Sequence, residues 1–216
     1  YRDADTYVTG FHRPRHLDDL IISAITHEDP GRVIDIGCND GALMDVLKRF
    51  GYSPIIGVEP NAVAANAAVK KGYKVYRDFL TPHLARKLKK EHCAFDAAYL
   101  RHVAEHVYDL DNFFASIRTL LRDDGLLIIE LPQVEPGLTR GNPAILWEEH
   151  VNYLSEPLAA FLLEKFGFTI LEKRYYAFGG GAIAFIARKE RLVPKRLRSP
   201  KPELSLRLVR EFKKKV

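Results

Sequence analysis

Short apolar runs alternate with amphipathic stretches along most of this chain. Residues 33–36 are apolar but for Asp35 and read as a buried strand. A helical pattern follows over 42–50, with Leu43, Val46, Leu47 and Phe50 inward and Gly51 as its stop. A second strand at 55–58 leads to a helix over 61–71, capped by Asn61 and ended by Gly72. A short third strand is expected at 74–76. Thr81-Pro82 then supplies a cap and a first-turn proline for another helix. Strand four is expected at 95–100. The next helix spans 109–121, with Leu110, Phe113, Phe114, Ile117 and Leu120 on its buried side. Asp123-Asp124-Gly125 reads as a turn before a fifth strand at 126–131. Such β/α alternation implies a parallel sheet with helices on both faces. The end departs from it: a helix at 157–166, stopped by Gly167, precedes two strands at 168–176 and 182–188. Gly179-Gly180-Gly181 joins those two as an antiparallel hairpin. Ahead of the alternation, Leu17, Leu20, Ile21, Ala24 and Ile25 share one face of a helix over 15–26. The expectation is one α/β domain over 1–188, with a mostly parallel, seven-stranded sheet.

Composition changes this picture little. With 216 residues and 47% hydrophobic content the chain can build a sizeable core. No apolar run approaches membrane-spanning length, so no membrane partner is expected. Two cysteines, Cys38 and Cys93, make no disulfide framework, and a reducing, cytoplasmic setting is expected. The charge is uneven. From residue 189 onward eleven Lys/Arg face three Glu, which leaves the body slightly acidic against a net +5. That tail is expected to be a basic linker and helix over 189–216. Leu204, Leu208 and Phe212 share a face with nothing in this chain to bury against, so it would lead to a further domain. The chain opens on Tyr1 and is read as a fragment, a trimmed chain or one whose start lies outside the numbering. The sequence fixes no oligomeric state.

The candidate chemistry begins at the first strand. Asp35-Ile36-Gly37-Cys38-Asn39-Asp40-Gly41 follows it directly, and Gly57-Val58-Glu59-Pro60 closes the second. Glycines let backbone approach a ligand, and the helix after them points its N-terminal N–H groups the same way. An acid at the tip of the second strand can hold both hydroxyls of a ribose. The order is not that of a dinucleotide fingerprint, and Asp35 would repel a pyrophosphate, so a cationic cofactor suits it better. The pair of motifs resembles the cofactor site of class I S-adenosylmethionine (SAM) methyltransferases, whose first motif is D/E-x-G-x-G-x-G, with Asn39 in place of the middle glycine. The resemblance covers about 15–188 and implies the Rossmann-like sheet of that class. It implies that Asp35, Gly37, Cys38, Asn39 and Gly41 surround the methionine part and that Glu59 and Pro60 meet the ribose. Asp78 and Phe79, after strand three, would meet the adenine, the alternative being an aspartate that caps a turn. N-terminal segments close over the cofactor in that family, a lid role that Tyr1 and Tyr7 would share.

Two stretches can carry the reaction. Leu100-Arg101-His102-Val103-Ala104-Glu105-His106-Val107 follows strand four and faces the cofactor. It resembles the R/H-x-V-L-E-H-V signature of small-molecule methyltransferases, which puts Arg101 or His102 along the cofactor and gives Glu105 and His106 a structural role. The N/D-P-P-Y/F run of amino-directed enzymes is missing, so nucleic acid is discounted as a partner, with an RNA acceptor held by the basic tail as an alternative. The second stretch is the long connection over 132–155. Its Trp147-Glu148-Glu149-His150-Val151-Asn152-Tyr153-Leu154-Ser155 resembles the Y-H-E-H-x-x-Y-F-S segment of deoxysugar C-methyltransferases, and the three glycines resemble their H-G-G-S turn. That resemblance makes His150 the base for a carbon next to a keto group, with Glu149 beside it as the second catalytic residue, an imidazole being suited to proton transfer near neutral pH. Trp147 and Glu148 depart from the family pattern, which leaves an O-directed or non-catalytic module of a larger biosynthetic enzyme as the alternative. His102, His106 and His150 fall at no recognisable ligand spacing, and no metal is expected.

Overall fold

The computed structural model describes residues 16–141, 149–177 and 180–191. In chain order the elements are α1 (His16–Ile25), β1 (Val33–Ile36), α2 (Ala42–Arg49), β2 (Ile55–Val58), α3 (Ala62–Lys70), β3 (Lys74–Tyr76) and α4 (Pro82–His92). They continue with β4 (Phe95–Arg101), a 3₁₀ turn (Ala104–His106), α5 (Leu110–Leu120), β5 (Leu121–Pro132), α6 (Val134–Arg140), α7 (Glu156–Lys165), β6 (Phe168–Tyr176) and β7 (Ala182–Lys189). The seven strands form one sheet in the order β3-β2-β1-β4-β5-β7-β6. The first five run parallel, and β7 pairs antiparallel with both β5 and β6. The mostly parallel sheet expected from the alternation, and the Rossmann-like form implied by the resemblance, are therefore present.

Alternate residues of the central strands feed two cores. Ile34, Leu100, Leu127, Ile129 and Phe185 join α4, α5 and α7 on one face. Val33, Tyr99, Leu126, Ile128 and Ile186 join α1 and α2 on the other. Caps act where the sequence places them. Asn61 accepts from the N–H groups of Val63 and Ala64, and Thr81 accepts from Leu84.

One local expectation needs correction. Asp123-Asp124-Gly125 does not separate helix from strand, because β5 begins at Leu121 and takes in those residues. The register with β4 shifts there between Phe95 and Ala97, and Asp124 takes a φ of 63°. The polar residues sit in a bulge that keeps the strand going. The long connection after β5 also carries a helix of its own, α6.

Candidate active site

Parallel strands around a β1 centre leave a crevice at their carboxyl ends. There the chain leaves β1 with Gly37 N–H and Cys38 N–H both donating to the Val58 carbonyl, at 2.8 and 3.2 Å. Gly37, Asn39 and Gly41 follow with φ of 73°, 48° and 80°. The loop thus needs a left-handed residue at the family's middle-glycine position. Asparagine supplies it, its short polar side chain tolerating that conformation. A Cβ on Gly37 would stand 2.4 Å from Val103 Cγ2, so the bare backbone of the β1 loop lies directly against the Val103 side chain.

Two acids face this loop. Glu59 is 6% exposed, and its carboxylate accepts from Asn39 N–H at 3.0 Å and Asn61 N–H at 2.7 Å. Burial raises its pKa above the ordinary value despite those bonds. Asp35 is 2% exposed, and its Oδ2 has no hydrogen-bond partner among the described residues. Burial pushes its pKa up to about 7, with Arg101 opposing and Glu59 adding to the shift. A buried carboxyl with one oxygen left unbonded in a crevice suits a cation. Cys38 is an inert wall here, because burial and the neighbouring acids push its thiol pKa far upward.

The end of β4 is tied down by a residue that the sequence pattern passes over. Glu130, fully buried on β5, takes Arg101 Nε at 2.7 Å and Nη2 at 3.2 Å. It also takes His102 Nε2 at 3.1 Å and, from α1, His16 Nε2 at 3.1 Å. Burial works against charge on His102, but contacts with the carboxylates of Glu105 and Glu130 outweigh it and raise its pKa to about 9. Burial likewise works against charge on Glu130, and its three partners still hold its pKa well below the usual range. A lone acid inside the apolar run Leu126-Leu127-Ile128-Ile129-Glu130-Leu131 was the available signal.

These parts line one cavity of about 1010 Å³. Its wall includes Asp35, Gly37, Cys38, Asn39, Glu59, Pro60, Asp78, Phe79, Arg101, His102 and His150. Phe79 is 58% exposed, an open ring at the rim. Asp78 accepts from the Phe79 N–H and also takes its place in the wall. Two expected residues are absent from the wall. Gly41 caps α2, and a Cβ on it would meet Ala68 and Tyr73, so it packs the loop against α3. Glu149 contributes its backbone carbonyl, which accepts from His106 Nδ1 at 3.0 Å.

The far end of the cavity is made by two loops locked together. Val151 N–H and Asn152 N–H donate to the Glu105 carbonyl, and Asn152 Nδ2 donates to the Val107 carbonyl at 2.6 Å. The rings of His106 and His150 meet edge-on, 4.9 Å between centroids. Burial lowers the pKa of His150, with Glu105 opposing. Trp147 and Glu148, the departures from the C-methyltransferase segment, and Tyr1 and Tyr7 lie outside the described residues. So does the tail beyond residue 191.

The residues present fit SAM. The crevice offers buried acids for its cationic end, a strand-tip carboxylate for a ribose and an exposed ring at the rim for a base. Comparisons with known proteins agree with that geometry. Residues 11–173 match a family model described as a methyltransferase domain. The chain is 25% identical over 173 residues to the C-methyltransferase NovU of Streptomyces niveus, covering 80% of this chain and 41% of that protein. It is 30% identical over 129 residues to the mitochondrial ubiquinone biosynthesis O-methyltransferase of Bos taurus, covering 52% of this chain and 33% of the relative. The chain thus spans well under half the length of either. Magnesium protoporphyrin IX methyltransferase from Synechocystis PCC 6803, solved with bound SAM, superposes with a TM-score of 0.59 at 16% identity, over 82% of this chain and 79% of that one. Among the described residues no helix is long and apolar enough to cross a membrane. Motif, fold and family model converge: the chain belongs to the family of SAM-dependent methyltransferase domains.

Proposed function

We propose that this chain methylates a small molecule at an atom that must lose a proton first, with a carbon beside the keto group of a nucleotide-linked sugar as the preferred acceptor. The observation that carries the reading is the Glu105–His106–His150 cluster at the far end of the cofactor cavity. Bound SAM supplies a methyl on a sulfonium: the new bond to the acceptor forms as the carbon–sulfur bond breaks, and a neutral thioether leaves. The sulfonium needs no further activation, so the chain's own contribution is orientation, exclusion of water and removal of the acceptor's proton. The cluster centred on His150 draws off that proton. Glu149 acts as a positioning residue, holding the His106 ring through its carbonyl.

An O-directed reading has its own support. Trp147 stands where the C-methyltransferases carry a tyrosine and has no hydroxyl to offer an enolate. The similarity to an O-methyltransferase is of the same order as that to a C-methyltransferase. The test is S-adenosylhomocysteine release with SAM and two acceptor panels, keto-sugar nucleotides and phenolic or catecholic hydroxyls. Turnover on the first alone supports carbon transfer, and turnover on the second alone replaces it with oxygen transfer. With the working acceptor, His150→Ala should keep SAM affinity and lower turnover by about 10²–10⁴-fold. Normal turnover in that variant would remove the cluster from the reaction.

A further inference from the structure

Glu105 is the least explained side chain in the cavity wall. It is 2% exposed, and neither carboxylate oxygen has a hydrogen-bond partner among the described residues. Oε1 is ion-paired with His102, whose Nδ1 lies 3.4 Å away, and Oε2 has neither an ion pair nor a hydrogen bond among the described residues. Buried carboxylates are ordinarily hydrogen-bonded, closely paired or bound to a metal. Two imidazoles stand in front of this one. Ligand-capable atoms of Glu105, His106 and His150 lie within 4.8 Å of one another, and all three residues line the cavity.

The surroundings prepare the cluster for a cation. His106 donates its Nδ1–H to the Glu149 carbonyl at 3.0 Å, which leaves the lone pair on Nε2. A backbone carbonyl behind the ring is the usual outer support of a metal-binding histidine. The loops carrying the three residues are fixed to each other by the Val151 and Asn152 N–H bonds to the Glu105 carbonyl. We propose that Glu105, His106 and His150 bind one divalent first-row transition cation, of the Zn²⁺ or Mn²⁺ type, with open coordination positions toward the acceptor. Two imidazoles and one carboxylate favour such ions over Mg²⁺ or Ca²⁺, which take oxygen ligands. Metal–ligand bonds of about 2.0–2.2 Å draw the three side chains inward from their present spacing. The ligands come from two loops far apart in the chain, so no short sequence spacing announces them.

The use of the cation rests on the methyl-transfer reading. An acceptor carbonyl or hydroxyl oxygen on an open position is polarised, and the acceptor's proton leaves to solvent more readily. In the metal-loaded chain His150 is therefore a ligand and not the base: its lone pair is on the ion, and loss of the ion is what lowers turnover in His150→Ala.

The test is a Co²⁺ titration of the full chain after chelator treatment, followed by visible absorption, with calorimetry for Zn²⁺ and Mn²⁺. One equivalent should bind with the spectrum of nitrogen ligation. Glu105→Gln and His150→Ala should each weaken binding by at least about 100-fold. Should Glu105→Gln fail to fold, His106→Asn serves beside His150→Ala. Failure of the native chain to bind, or binding untouched by the variants that fold, overturns the site. Metal-free protein that forms S-adenosylhomocysteine at the undiminished rate overturns the cation's use and leaves methyl transfer standing. Stoichiometric metal binding in a chain that binds no SAM would keep the site and sink the methyl-transfer reading.

Discussion

Asp35 shows how one residue can carry both a cost and a function. Its carboxyl is buried without a hydrogen bond for Oδ2 among the described residues, and its pKa in the fold is about 7 against an ordinary 3.8. The raised value means that the folded chain holds a proton which the unfolded chain releases. The stabilisation is complete below about pH 4 and is lost as the pH rises through about 7. A cationic cofactor reverses the preference, because it favours the ionised form. SAM affinity should therefore rise with pH through about 7, with proton release on binding, and Asp35→Asn should abolish that slope. Calorimetry in buffers of different ionisation heat measures both, and a flat affinity profile would contradict this role. Gly37 gives a second prediction. Alanine there meets Val103 at 2.4 Å and must hold a φ of 73°. Gly37→Ala should lower stability by more than the roughly 1–2 kcal/mol of the left-handed backbone alone. Adding Val103→Ala should return only the part due to the clash. Full recovery in the double variant, read by urea denaturation, would show that the backbone conformation costs nothing.

At the scale of elements, Glu130 ties three of them together. It sits on β5 and holds Arg101 and His102 at the end of β4 and His16 on α1. Glu130→Gln removes the charge that all three face. The expected loss is about 3–5 kcal/mol, the range for breaking a buried ion pair on one side. SAM affinity should fall with it, since Arg101 and His102 both line the cavity. A loss below about 0.5 kcal/mol would show that the cluster is not an anchor. This element was hidden in the sequence for a physical reason. Residues 35–41 and 57–60 form the cofactor loop through neighbouring strands, so their order and spacing are readable along the chain. Glu130 meets Arg101 only because β5 lies beside β4, and a lone acid in an apolar strand does not name its partner. Glu149 is the reverse case. Its place beside His150 is clear, but which way a loop side chain turns is set by the Glu105 and Val107 carbonyls that pin the segment.

The whole molecule was the most legible level. Alternating strand and helix patterns fix a parallel sheet, and the closing hairpin must be antiparallel. The order β3-β2-β1-β4-β5-β7-β6 is a tertiary property that the alternation alone does not dictate. What periodicity could not resolve was the continuation of β5 through Asp123-Asp124-Gly125, where a bulge takes polar residues without ending the strand. The central claim is that the crevice at the strand ends of this sheet binds SAM, with Glu59 on the ribose. It is tested most directly by calorimetry of SAM and NAD on the native chain and on Glu59→Ala. SAM should bind the native chain and NAD should not. The variant, folded by circular dichroism, should lose about 1.5–3 kcal/mol of SAM binding free energy. Preference for NAD, or an unchanged SAM affinity in Glu59→Ala, would contradict the account.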